Sequence, residues 1–260
     1  MIEKEWINIF LTSSSKEGLN SNLESIGLKK DLSSKKDVLI KINLAKVYKP
    51  NYPRTDMEIL ISVLEYVYQN GGKCAIAEGA NGYLVENLYL SGLGGYIKKY
   101  GVKIIDIDFE DCDEVISYDE CHYIPKCFKD YSLRIAIPVT SKRQDRLYSN
   151  NIKLFVGSVP RKMYQLENPC SSLELFPRPR LHLNIDMSVA NIYFAIQEYS
   201  RFNYFINGGL SYNEKIGEFN FTETFIGNDA FELDCYIYEK FFLDCDYPKY
   251  LRIINEKKSN

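Results

Sequence analysis

Glu78-Gly79-Ala80-Asn81-Gly82 places a carboxylate at the head of a glycine-bounded turn. Two readings stand side by side. Either the glycines take positive φ in a tight turn that leaves Glu78 solvated, or Glu78 is an acid/base group held beside a backbone-lined anion site. Thr140-Ser141-Lys142-Arg143 gathers two hydroxyls and two cations, enough to hold a carboxylate or phosphate, although an exposed loop needs no such purpose. Lys41 lies inside an apolar run, where a lysine either snorkels at an edge or aims its cation at a ligand. His122 and His182 are the only histidines, so any catalytic imidazole is one of them. His182 follows Pro177-Arg178-Pro179-Arg180 and opens a helix, where a capping or surface role competes with that of general base.

Seven cysteines, an odd number with irregular spacing, do not read as a disulfide framework and are taken as reduced thiols. His122 sits among Cys112, Cys121 and Cys127, but no tight Cys-x-x-Cys pair is present, so no metal site is expected. Phosphate-loop, nucleophile-elbow and His-Glu-x-x-His patterns are missing, and Gly92-Leu93-Gly94-Gly95 is too loose for a dinucleotide fingerprint.

The elements that must position these residues alternate. Strands are expected at 6–11, 37–42, 73–77, 102–107, 132–139, 201–206 and 222–226. Between the first two lies a polar stretch, 12–36, with one short amphipathic helix at best. Thr55-Asp56-Met57-Glu58 has the form of a capping box; Ile59, Val63, Tyr66 and Val67 line one face of the helix it opens, and Gly71-Gly72 stops it. Further helices are expected over 84–100, broken near 92–95, and over 151–156, 183–199 and 229–242, the last with Asp229 as its cap. Alternating strands and helices mean βαβ crossovers. The expected class is therefore α/β, a mostly parallel sheet with helices on both faces. Residues 1–260 read as a single domain; if there are two lobes, the boundary falls near 109–131.

Ligands of open parallel sheets bind beyond the carboxyl ends of the strands. Here those positions carry Lys41 and Asn43, the turn 78–82, Asp106 and Asp108, the loop 140–143, and Asn207-Gly208-Gly209. Composition narrows the partners: 32 Lys+Arg against 35 Asp+Glu, a net charge of −3, and no block of like charges leave no footprint for nucleic acid. No apolar stretch is long enough for a membrane span, and the charged start of the chain is unlike a signal peptide, so a cytoplasmic protein is expected.

Taken in order, these segments resemble the domain-of-unknown-function 362 family from about residue 38 to 254. Val38-Leu39-Ile40-Lys41-Ile42-Asn43 is similar to its opening strand, 55–72 to its first capped helix, and Glu78-Gly79-Ala80-Asn81 to its acidic-glycine turn. Ile137-Pro138 resembles the strand before its Lys-x-Lys-Thr-His loop. The segment 151–160 resembles a stretch in which Lys153, Gly157 and Pro160 match, and His182, Asn207-Gly208 and 228–234 complete the series. Val139, Thr140 and Ser141 precede Lys142 where the family has basic residues and histidine, and Asn207 stands where relatives usually have Asp. The ferredoxin-like cysteine cluster of many relatives is absent. In outline the resemblance extends distantly to the cofactor-binding lobe of lactate racemase-type enzymes, an analogy of fold.

The resemblance implies a fold and a pocket; read as an enzyme, the rim has Glu78 or His182 moving a proton while Lys41, Asn43, Gly79, Asn81, Ser141, Lys142, Arg143, Lys153, Asn207 and Gly208 hold the ligand. The expected partner is a small anionic metabolite, and the cofactor is unknown. Acid–base or group-transfer catalysis is one reading and ligand binding without chemistry is another. A third is a partner protein: 21 Tyr and 14 Phe could furnish an aromatic interface, homo-oligomeric assembly included.

Overall fold

Residues 38–42 are apolar at every position but Lys41, as expected of a strand covered on both faces, and the computed structural model places them inside a sheet. It describes all residues except 1–6, 11–15, 45–53, 81, 119, 144–145, 165–178, 214–216, 222, 243–245 and 260. In chain order the elements are β1 (Ile7–Phe10), α1 (Lys16–Ser25), α2 (Leu28–Ser34), β2 (Asp37–Ile42), α3 (Met57–Gln69), β3 (Lys73–Glu78), α4 (Leu84–Leu90), α5 (Gly94–Tyr100) and β4 (Lys103–Asp106). A hairpin of β5 (Cys112–Ser117) and β6 (Glu120–Pro125) precedes β7 (Leu133–Ile137), β8 (Ser141–Arg143), β9 (Arg146–Ser149), α6 (Asn151–Leu154), α7 (Pro179–His182) and α8 (Ile185–Ser200). The chain closes with β10 (Tyr204–Asn207), β11 (Leu210–Asn213), β12 (Gly217–Asn220), β13 (Thr224–Gly227), α9 (Ala230–Phe241) and α10 (Lys249–Ser259).

The main sheet has seven strands in the order β1-β13-β10-β7-β2-β3-β4. Neighbours from β10 to β4 pair in parallel, and β13 runs against both of its neighbours. The fold is α/β, as expected. Helices cover both faces. Val38, Ile40, Ile76, Ile135 and Ile206 pack toward α1 to α5; Leu39, Ala75, Ala77, Ala136 and Phe205 face α6, α8, α9 and α10. A smaller sheet, β12-β11-β8-β9, is built from segments that leave the carboxyl ends of β7 and β10. Among the described residues no helix is long and apolar enough to cross a membrane.

Three local outcomes differ from the sequence reading. The polar stretch holds two helices, because Leu19 and Leu23 in the first and Leu28 and Leu32 in the second stand four apart and all are buried under the sheet. The cap of α3 is Asp56, whose Oδ1 accepts from the Ile59 amide at 3.0 Å. Thr55 is buried instead: its hydroxyl donates to the Ile137 carbonyl at 2.6 Å and accepts from the Asn43 amide at 2.8 Å. Satisfying two backbone groups at a dry strand end outweighs a cap that Asp56 supplies as well. Finally, 109–131 contains the β5–β6 hairpin, which packs Val115 and Tyr123 against the core beside α8.

Candidate functional site at the carboxyl edge

Lys41 is flanked in register by Ala77 on β3 and Ala136 on β7, and Gly157, in the 3-10 turn Phe155–Ser158, lies over it. Small residues on three sides make a well for the long side chain. A Cβ at Gly157 would stand 3.0 Å from Lys41 Nζ and 3.3 Å from Glu78 Oε1, so this approach favours glycine. Inside the well Nζ donates to Glu78 Oε2 at 2.8 Å and to the Ile42 carbonyl at 2.7 Å. Glu78 is 3% exposed, and its Oε1 accepts from the Gly79 amide at 2.9 Å. Snorkelling is excluded, because Lys41 is 0% exposed on an interior strand.

One strand further, Asp106 stands beside Glu78 in register. It accepts from the Asp108 amide at 3.2 Å and so opens the 3-10 turn Ile107–Phe109. Asp108 is buried and held by Arg161, whose backbone amide and Nε donate to its two oxygens at 2.9 and 3.1 Å. Arg161 Nη2 also donates to the Gly79 carbonyl at 2.6 Å. One guanidinium thus ties the turn after β3 to the turn after β4. Burial pushes the Asp106 carboxyl up to about 6; the charges of Asp108 and Glu78 add to this, and the Asp108 amide and Arg161 oppose it. A carboxyl that exchanges its proton near neutrality is suited to acid–base work.

On the other side of β2, Asn207 ends β10 and is 1% exposed. Its Nδ2 donates to Asn150 Oδ1, which also accepts from Thr140 Oγ1 at 3.1 Å. Asn150 Nδ2 donates to the Tyr148 hydroxyl at 2.8 Å, which donates to the Asp234 carbonyl at 3.3 Å. The Asp234 carboxylate, fully buried, accepts from the Asn151 amide at 3.0 Å, Asn151 Nδ2 at 2.8 Å and the Ile152 amide at 3.1 Å. It therefore satisfies the amides that begin α6 from a different helix.

Of the other expected site residues, Asn43 is half-buried just beyond β2; its amide donates to the Thr55 hydroxyl and its carbonyl accepts from the Thr55 amide. Gly79 is fixed by Glu78 and Arg161. Ser141 is buried on β8, opposite Ser149, and half-buried Lys142 is level with Asn213. Arg143 lies on the same strand, level with Arg146, and Lys153 is half-buried on α6. Gly208, at φ +149°, is demanded by packing: a Cβ there would meet Thr224 Cα and the Glu223 carbonyl at 3.1 Å. Asn81 lies outside the described residues. His182 is exposed at the end of α7.

Burial pushes the thiols of Cys74 and Cys127 up to about 12 and those of Cys112 and Cys235 up to about 11. Cys121 is exposed on β6. Brief alkylation at pH 8 followed by mass spectrometry is expected to label Cys121 before these four. Cys170 and Cys245 lie outside the described residues. His122 is buried against the Tyr164 hydroxyl, 3.5 Å from Nδ1, and burial lowers its pKa. Among the described residues no group of three or more His, Cys, Asp or Glu is placed to hold a metal ion.

Residues 38–239, more than half of the chain, match the family model described as domain of unknown function (DUF362). The chain belongs to DUF362. No curated protein matches it. Among solved structures, the DUF362 chain is similar to the lactate racemase apoprotein from Thermoanaerobacterium thermosaccharolyticum, with a TM-score of 0.55 and 14% identity. The likeness covers 86% of this chain and 55% of that one, so the chain spans about half the length of the structure it matches. At that identity the likeness is one of fold. Five residues of the buried network, Tyr148, Asn150, Asn151, Arg161 and Asp234, were not among the expected site residues. Arg161 follows Pro160 at the close of a family segment, and that adjacency was the one signal available for it.

Proposed function

We propose that this DUF362 chain binds a small anionic metabolite, bearing a carboxylate or a phosphate, at the carboxyl edge of its sheet and moves a proton on it. The observation that carries the reading is the buried Lys41–Glu78 pair at the ends of adjoining parallel strands, with Asp106 level with Glu78. Desolvating such a pair is costly, and an apolar pair of similar volume would serve stability as well or better. Strand ends are also where ligands of this architecture bind. In this reading Glu78 and Asp106 carry protons, and Lys142, with Arg143 and Lys153, neutralises the anion. His182 is a second candidate for proton transfer, delivered from the surface helix α7.

Binding without chemistry is the second reading. It is favoured because Lys41 and Arg161 are each engaged with a carboxylate of the chain itself. Phosphate or succinate is expected to raise the melting temperature by a few degrees at saturating concentration, since a ligand of the folded state alone stabilises it. Lys142→Ala should remove most of the shift. Exchange of a carbon-bound proton of succinate with D2O, followed by NMR, separates catalysis from binding. A panel of carboxylates and phosphates that leaves the melting temperature unmoved would overturn both readings.

A further inference from the structure

The hydrogen bonds around Asn150 have a direction, and it can be followed from one fixed end. The Asp234 carbonyl can only accept, so in the hydrogen bond between them the Tyr148 hydroxyl is the donor. The oxygen of Tyr148 then accepts, which brings Asn150 Nδ2 to it and turns Asn150 Oδ1 the other way. That oxygen accepts from Thr140 and from Asn207 Nδ2. The Asn207 amide is thereby oriented as well: its nitrogen faces Asn150, and its Oδ1 is turned away as an acceptor. Reversing the relay would strip Tyr148 of its bond to Asp234. Oδ1 of Asn207 is buried and without a hydrogen-bond partner among the described residues. A dry acceptor left unpaired costs stability unless something supplies a donor.

The placement of this oxygen matters. Phe205 is level with Ala136, which is level with Lys41, so Asn207, two residues beyond Phe205, lies on the same face of the sheet as Lys41. Two strand spacings and two residues along the strand put their Cα atoms roughly 12 Å apart. Two other buried oxygens on residues 151–158 have no hydrogen-bond partner among the described residues: Asn151 Oδ1, whose own nitrogen is committed to Asp234, and Ser158 Oγ beside Gly157.

We propose that Asn207 Oδ1 accepts a hydrogen bond from a hydroxyl or amino group of the ligand. The preferred ligands are then anions that also carry a hydrogen-bond donor, rather than plain carboxylates or phosphates. This inference rests on the anion-binding reading and narrows it. Tyr148, Asn150 and Asp234 are positioning residues in it, acting through the orientation they impose on Asn207.

The test is a comparison of matched probes by calorimetry: succinate against malate and aspartate, acetate against glycolate and glycine, propyl phosphate against glycerol 3-phosphate. In at least one set the member with the donor is expected to bind about tenfold tighter or better, because its plain partner leaves the acceptor unpaired. In Asn207→Ala the ratio should fall toward one. Tyr148→Phe keeps the ring and removes only the oxygen that orients Asn150, so it should lower the same ratio in a folded protein. Binding with no preference in any set, or a preference that survives both variants, overturns the role of Asn207 and leaves the anion-binding reading standing. No binding of any probe overturns that reading and the inference with it.

Discussion

Lys41→Met is expected to destabilise the protein by about 3–5 kcal/mol, because it leaves Glu78 as an uncompensated group in a dry well. Glu78 is 3% exposed and would keep, among the described residues, the Gly79 amide as its hydrogen-bond donor. Lys41→Met combined with Glu78→Leu should recover much of the loss, since two apolar side chains need no desolvation of charge. Urea denaturation of the four species gives the coupling directly. A single variant that costs less than about 1 kcal/mol would show that water reaches the pair and screens it. The double variant also separates fold from function: it should be folded and yet fail to exchange a carbon-bound proton of the bound anion.

Asp234→Ala is expected to cost a comparable amount for a different reason. Three donors converge on this carboxylate, two of them amides at the start of α6, and each donor left unsatisfied in the interior costs about 1–3 kcal/mol. A pH dependence accompanies it. Burial pushes the Asp234 carboxyl up from 3.8 to about 7, against the opposing pull of the Ile152 and Asn151 donors. Between those values the folded chain holds a proton that the unfolded chain has released. The contribution of this group to stability is therefore fully present below about 4 and is lost as the pH rises through about 7. Other carboxylates titrate in the same window, so the readout is the difference between the parent and Asp234→Asn, measured from pH 4 to 8. The parent should lose stability relative to that variant as the pH rises; a difference independent of pH would show that Asp234 keeps its charge state throughout.

Much of the architecture was legible because short-range pattern and long-range packing agree. The βαβ alternation, the stop at Gly71-Gly72, the break near Gly92 and the Asp229 cap all follow from local rules, and the structure contains each of them. Where the reading fell short, a local rule met a tertiary demand. Thr55 has every qualification for an N-cap, but the ends of β2 and β7 needed its hydroxyl more. The leucines of α1 and α2 were hidden by polar neighbours, since average polarity conceals a fourfold apolar spacing. The short strands β8, β9, β11 and β12 have too few residues to show a period, and their pairing is nonlocal.

The same division runs through the candidate site. Which residues stand at strand ends was readable from sequence, because a strand's length and its polar terminus are local properties: Lys41, Asn43, Glu78, Asp106, Asp108 and Asn207 were all placed there. What each one meets was not. Lys41 and Glu78 are 37 residues apart, Asp108 and Arg161 are 53 apart, and Asn151 and Asp234 are 83 apart. The sequence by itself determined the α/β alternation, the mostly parallel character of the sheet and the polar character of its carboxyl edge. Only the tertiary structure decided that the lysine of that edge is paired to its glutamate and that an aspartate on α9 holds the start of α6. The orientation of the amide relay ending at Asn207 was likewise decided there. Hydrogen-bond polarity and ion pairing depend on atoms brought within about 3 Å, and chain order does not encode that distance.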